Sequence, residues 1–82
     1  MNASIEISMY PLIPKYEKPI KNFINRLNEN KNLTIKTNTM STQIFGDYEE
    51  IMATLTKEMK ITFQEEKAVV MVLKIINMDL SE

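Results

Sequence analysis

The stretch TNTMSTQIFGDY, Thr37–Tyr48, decides how this chain is read, because it passes from an alternating strand through the only glycine into a helix start. From Thr39 to Phe45 the pattern has period two, with Met40, Thr42 and Ile44 on one side and Thr39, Ser41, Gln43 and Phe45 on the other. Gly46-Asp47 stops the strand, and Asp47 followed three residues later by Glu50 has the spacing of a capping box. The helix is expected from about Tyr48 to Gln64, with Tyr48, Ile51, Met52, Leu55, Met59 and Phe63 turned inward. The same stretch carries more hydroxyl and amide groups than a turn requires. They suit either a small polar ligand or the wet face of a sheet.

Working outward, Leu33–Asn38 alternates as well, which predicts a hairpin with the strand that follows and a tight or bulged join near Asn38. The tract Asn28–Asn32 ends a preceding helix, whose stripe is Ile20, Phe23, Ile24 and Leu27 and whose first turn holds Pro19. Pro11 and Pro14 make Pro11–Lys18 a loop. Before it, Ser4–Tyr10 places Ile5, Ile7 and Met9 opposite Glu6, Ser8 and Tyr10, as in a half-buried strand. At the other end, Ala68–Ile76 (AVVMVLKII) reads as a strand buried on both faces and interrupted only by Lys74. The order is β-α-β-β-α-β. It predicts a ferredoxin-like α+β sandwich, a four-stranded antiparallel sheet with two helices on one face. One sheet face is then left open, and a strand apolar on both faces calls for a second subunit to cover it.

At 82 residues the chain has room for one core, so residues 1–82 are expected to be a single domain. Ten basic against eleven acidic residues, with Arg26 the lone arginine in a helix, argue against a nucleic-acid binder. No apolar run is long enough to span a bilayer, and the N-terminus lacks the pattern of a signal peptide. The absence of cysteine is compatible with the cytoplasm. Without histidine or cysteine the chain can build neither a zinc site nor a Ser-His-Asp or Cys-His pair. With one glycine it can form neither a P-loop nor a dinucleotide fingerprint. The expectation is a protein that is not an enzyme and carries no cofactor or metal.

Four blocks, ISMYPL, YEKPIKNFINRL, TNTMSTQIFGDYEEIM and VVMVLKIINMDL, together resemble the small thiamine-binding (YkoF-like) family, in order and at the right spacing over nearly the whole chain. The TNTMSTQIFGDYEEIM block and the KIINMDL ending are the most specific. The resemblance implies ferredoxin-like subunits that pair their sheets into homo-dimers or tetramers. It also implies binding of thiamine or its hydroxymethylpyrimidine half as a ligand, with no reaction catalysed. The alternative is a structural or interaction protein of the same fold that forms a homo-oligomer without that ligand.

An aminopyrimidine needs hydroxyl, amide or backbone partners beside an apolar or aromatic wall. The candidate ligand-binding residues are Tyr10, Thr37, Asn38, Met40, Ser41, Thr42, Asn77 and Asp79. Thr and Ser are also ordinary residues of a solvated strand face, and Asn77-Met78-Asp79 can equally be a turn to a frayed terminus. Glu6, Asp47 and Asp79 are carboxylates near strand ends that can face a thiazolium cation, and Tyr10 and Phe45 are nearby aromatics. Asp47 reads more simply as the helix cap, and Glu6 with Lys74 as a cross-strand pair on the open face. Seven methionines read as adaptable core filler, and Met40 with Ile44 as the core-facing set of its strand. With Asp47 placing negative charge at the helix start, free thiamine or its pyrimidine is expected over the pyrophosphate.

Overall fold

The computed structural model describes residues 1–81, so the last residue of the expected 1–82 domain, Glu82, lies outside the described residues. In chain order the elements are β1 (Asn2–Pro11), α1 (Glu17–Asn28), β2 (Thr34–Thr37), β3 (Thr42–Asp47), α2 (Tyr48–Glu65) and β4 (Val69–Ile76). The strands form one sheet in the order β2-β3-β1-β4 with every neighbour antiparallel. This is the ferredoxin-like α+β arrangement that the order of periodicities predicts. Among the described residues no helix is long and apolar enough to cross a membrane.

The core follows the period-two reading of β1. Ala3, Ile5 and Ile7 are buried against Ile44 of β3, Phe23 and Leu27 of α1, and Ile51 and Leu55 of α2. Register fixes this, because Ile5 lies opposite both Ile44 and Ile75 and brings three apolar side chains to one face. The other face carries Ser4, Glu6 and Ser8, with Gln43 opposite Glu6 on one flank and Lys74 on the other. The cross-strand pair forms, with Lys74 Nζ 3.2 Å from Glu6 Oε1.

Asp47 caps α2 by accepting from the Glu50 N–H at 3.2 Å. Glu50 does not complete a capping box. Its carboxylate instead accepts from the Asn30 and Asn32 side chains at 3.2 and 3.1 Å, tying the turn after α1 to the start of α2. Gly46 stays within β3, opposite Ala3, and does not stop the strand. A Cβ there would lie 2.8 Å from Leu33 Cδ2, so any larger residue would have to displace the end of that buried leucine.

Four expectations need correction. β3 begins at Thr42 instead of Thr39, and residues 38–41 form the hairpin loop. Met40 lies in that loop, 82% exposed, and is not part of the core set. On α2 the buried stripe is Ile51, Leu55, Glu58 and Thr62, whereas Phe63 is 50% exposed. The stripe includes two polar residues because Arg26 of α1 lies against them: Arg26 Nε donates to Glu58 Oε1 at 2.8 Å and Nη2 to Thr62 Oγ1 at 2.7 Å. Finally, β4 is an edge strand covered on one side only. Met71 and Leu73 pack toward the core, while Val70, Val72 and Ile76 are 46%, 49% and 39% exposed on the open face.

Candidate functional site

Where the β2–β3 hairpin overhangs the start of α1, the sheet and helix part to leave a cleft of about 350 Å³. Its walls come from three places. The late part of β1 gives Ile7, Met9, Tyr10 and Pro11; Tyr16 with Ile20, Phe23 and Ile24 of α1 gives the apolar side. Thr37, the loop Asn38–Ser41 and Thr42 give the polar rim. Among the described residues no acidic or basic side chain lines it.

The rim is built around Asn38. Its Oδ1 accepts from the Met40 and Ser41 N–H groups at 2.8 and 2.9 Å, and its own N–H donates to Ser41 O at 3.0 Å. This is an Asx turn, which explains how the chain reverses without glycine. With Oδ1 used by the loop, the Asn38 Nδ2 group has no hydrogen-bond partner among the described residues and keeps both its donors. Thr37 and Thr42 face each other across the hairpin with hydroxyls 3.4 Å apart. Thr42 is only 5% exposed, so its hydroxyl sits at the inner end of the rim.

Ser41 points its hydroxyl elsewhere, donating to Glu6 Oε2 at 3.0 Å on the open face. Hydrogen bonding from Lys74 and then from Ser41, with the Lys74 charge adding to it, holds the Glu6 carboxyl below the usual glutamate range.

Of the residues singled out in the sequence, Tyr10, Thr37, Asn38, Met40, Ser41 and Thr42 therefore come together at this cleft. Asn77 and Asp79 do not. Ile76 pairs with Ser4, whereas Tyr10 lies six residues further along β1, roughly 20 Å away at the rise of a strand. Asp79 is engaged locally, accepting from the Ser81 N–H at 2.9 Å and from its hydroxyl, and these bonds lower its pKa. The segment after β4 folds against Ser4, whose hydroxyl donates to Met78 O at 2.7 Å and accepts from Leu80 N–H at 2.8 Å. Leu80 thereby borders a second depression of about 360 Å³ on the open face, with Glu6, Phe45, Lys74 and Ile76.

The apolar wall was missed in the sequence. Met9, Tyr16, Ile20 and Ile24 read there as core or loop, yet none of them is fully buried.

These features define the class: a ferredoxin-like α+β protein with an uncharged, partly aromatic cleft at one end of its sheet. The chain belongs to the thiamine-binding protein family, whose model matches residues 5–79. Among curated proteins none matches it. Solved structures share the fold. A Streptococcus pneumoniae protein superposes with a TM-score of 0.88 at 24% identity, covering 98% of this chain and 90% of that one. A Thermotoga maritima protein, provisionally assigned to thiamine biosynthesis or salvage, gives 0.85 at 19%, covering 95% and 85%. A hypothetical protein of Methanocaldococcus jannaschii gives 0.82 at 26%, covering 99% and 84%.

Proposed function

We propose that the protein, with residues 1–82 as one domain, binds thiamine or its hydroxymethylpyrimidine half in this cleft and releases it unchanged. Transport, salvage or sensing in the cytoplasm would be its setting. The observation that carries the reading is the composition of the cleft: Thr37, Asn38 and Thr42 line one side and an apolar and aromatic wall the other, with no charged residue in the lining among the described residues. A flat aminopyrimidine meets such a site with its donors and acceptors on the rim and its ring on the wall. The half-exposed aromatic ring of Tyr16 suits the cationic thiazolium. Among the described residues nothing in the lining offers a counter-charge to a pyrophosphate. The family, and the provisional assignment of the Thermotoga relative to thiamine biosynthesis or salvage, support the choice of ligand.

A homo-dimer or tetramer formed by sheet pairing and by packing of the open face completes the proposal. The exposed Val70, Val72 and Ile76 favour it. The same residues favour the second reading, a structural or interaction protein that oligomerises without a thiamine ligand.

Thermal shift with thiamine, its pyrimidine and the pyrophosphate separates the two. A ligand of the folded state at a hundredfold excess over Kd stabilises by about 2.7 kcal/mol. Thiamine and the pyrimidine are expected to raise the melting temperature more than the pyrophosphate does. No shift at millimolar thiamine leaves the interaction protein as the better reading, and tighter binding of the pyrophosphate overturns the charge argument. Native mass spectrometry of the purified protein reports subunit number and any retained ligand together.

A further inference from the structure

The two depressions lie on opposite faces of the sheet, yet one hydrogen bond joins them. Ser41 belongs to the rim of the cleft, and Glu6 to the open-face depression. Within the loop, residues 38–41, the bonds among the described residues run between Asn38 and residues 40–41. Asn38, Thr39 and Met40 are otherwise exposed. Among the described residues, Ser41 Oγ to Glu6 Oε2 is the one side-chain hydrogen bond that leaves the loop for another element. Glu6 is itself held in place, because it lies directly opposite Lys74 in the β1–β4 register and pairs with it at 3.2 Å.

The geometry points to Glu6 as a positioning residue for the cleft: from the far side of the sheet its carboxylate anchors Ser41, and through Ser41 the loop that presents Asn38 and Met40 to a ligand. Glu6 does not line the cleft. It acts on the rim by fixing the end of the Asx turn, since Ser41 receives Asn38 Oδ1 on its N–H and returns its carbonyl to the Asn38 N–H. Releasing the Ser41 hydroxyl leaves that turn attached to the sheet by its two strands alone. A charge-assisted hydrogen bond is the strong kind, and an exposed loop has little else to oppose its fraying.

The inference rests on the cleft being a ligand site, so its test needs one readout that requires no ligand. In the unliganded protein, amide solvent-exchange rates of Met40 and Ser41 are compared by NMR in Glu6→Ala, Glu6→Gln, Ser41→Ala and the Glu6→Ala/Ser41→Ala double variant. Both single alanine variants are expected to accelerate these two amides about 3- to 10-fold, the range of one such bond. The double variant should do no more than either, and Glu6→Gln, which keeps an acceptor, should fall between. The β1 amides of Ile5 and Ile7 should not change. Calorimetry with thiamine should show Kd raised by a similar factor. Unchanged Met40 and Ser41 exchange in Glu6→Ala overturns the inference, as does equal acceleration across the whole sheet. Failure of the wild-type protein to bind thiamine refutes the proposed function instead, and the exchange rates then still decide whether Glu6 holds the rim.

Discussion

Two polar clusters in this molecule look alike in composition and differ in what they leave over. Between the helices, Arg26 spends its guanidinium on Glu58 Oε1, the Glu58 carbonyl and Thr62 Oγ1, at 2.8, 3.1 and 2.7 Å. Glu65 stands 3.7 Å from its remaining nitrogen. At the hairpin, Thr37, Asn38 and Thr42 border an open cleft, and the Asn38 amide nitrogen has no partner among the described residues. A polar cluster whose groups satisfy one another is part of the scaffold, even around a lone arginine. One with donors to spare beside an apolar wall is where a ligand gains most.

Breaking the closed cluster should have the largest effect and leave binding alone. Arg26→Met strands Glu58, whose side chain is 10% exposed, beside Thr62 with only the exposed Lys57 ammonium, 4.0 Å from Oε2, to balance it. Removing one partner of a buried pair costs about 3–5 kcal/mol, and the partial exposure of Arg26 places this case nearer 2–3. Urea unfolding measures the loss, while the thiamine Kd of the folded protein should stay within about twofold, well inside the range that separates a scaffold residue from a site residue. Replacing all three groups by apolar ones, as Arg26→Met/Glu58→Met/Thr62→Val, should recover much of the stability. A large change in Kd for Arg26→Met alone would dissolve the distinction between the clusters.

The open cluster should respond the other way, and Asn38 can be made to show both of its roles. Asn38→Ala removes the acceptor that closes the Asx turn and the donors that face the cleft. It should cost about 1 kcal/mol of stability and weaken thiamine about 3- to 10-fold. Asn38→Asp keeps the acceptor for the Met40 and Ser41 N–H groups, deletes the donors and adds a negative charge at the rim. Stability should return, and affinity for the neutral pyrimidine should not. If Asn38→Asp restores pyrimidine binding as well, the free amide is not the ligand's partner.

The contrast also explains what could be read from the sequence. Period two in Ser4–Tyr10 and the switch from strand to helix at Asp47 depend on neighbours in the chain, so the element order was legible. The Glu6–Lys74 pair was legible too, because alternation puts both on the open face. Phe63, by contrast, reads as inward only if apolarity chooses the buried stripe. Arg26 lies thirty-two residues from Glu58 and turns that stripe toward Glu58 and Thr62, a choice that no local pattern carries. Of the cleft, the polar rim was visible as an excess of hydroxyl and amide groups. Its apolar wall was not, since no local pattern tells that Ile20 and Ile24 stay only partly buried and line the cleft. Asn77 and Asp79 looked equivalent to the rim by strand-end logic, but antiparallel pairing of β1 with β4 sends them to the other end of the sheet.

The smallest effect concerns the tether between the faces, and its sign follows from Glu6. The folded-state carboxyl is more acidic than in the unfolded chain, because Lys74 and Ser41 hydrogen-bond its charged form. Its contribution is therefore fully present above the ordinary glutamate pKa of about 4.3 and is lost only as pH falls through the lower, folded value. The Met40 and Ser41 amides, corrected for intrinsic exchange, should stay protected from neutral pH down past that ordinary range and lose protection below it. Lys74→Met removes the larger of the two causes and should move the loss to higher pH. Asp79 is shifted in the same direction by Ser81, yet it lies at the opposite end of the sheet, so its titration should leave these two amides untouched. Loss of rim protection that tracked Asp79→Asn instead of Lys74→Met would mean that the rim is held from the far end of β4 and not by Glu6.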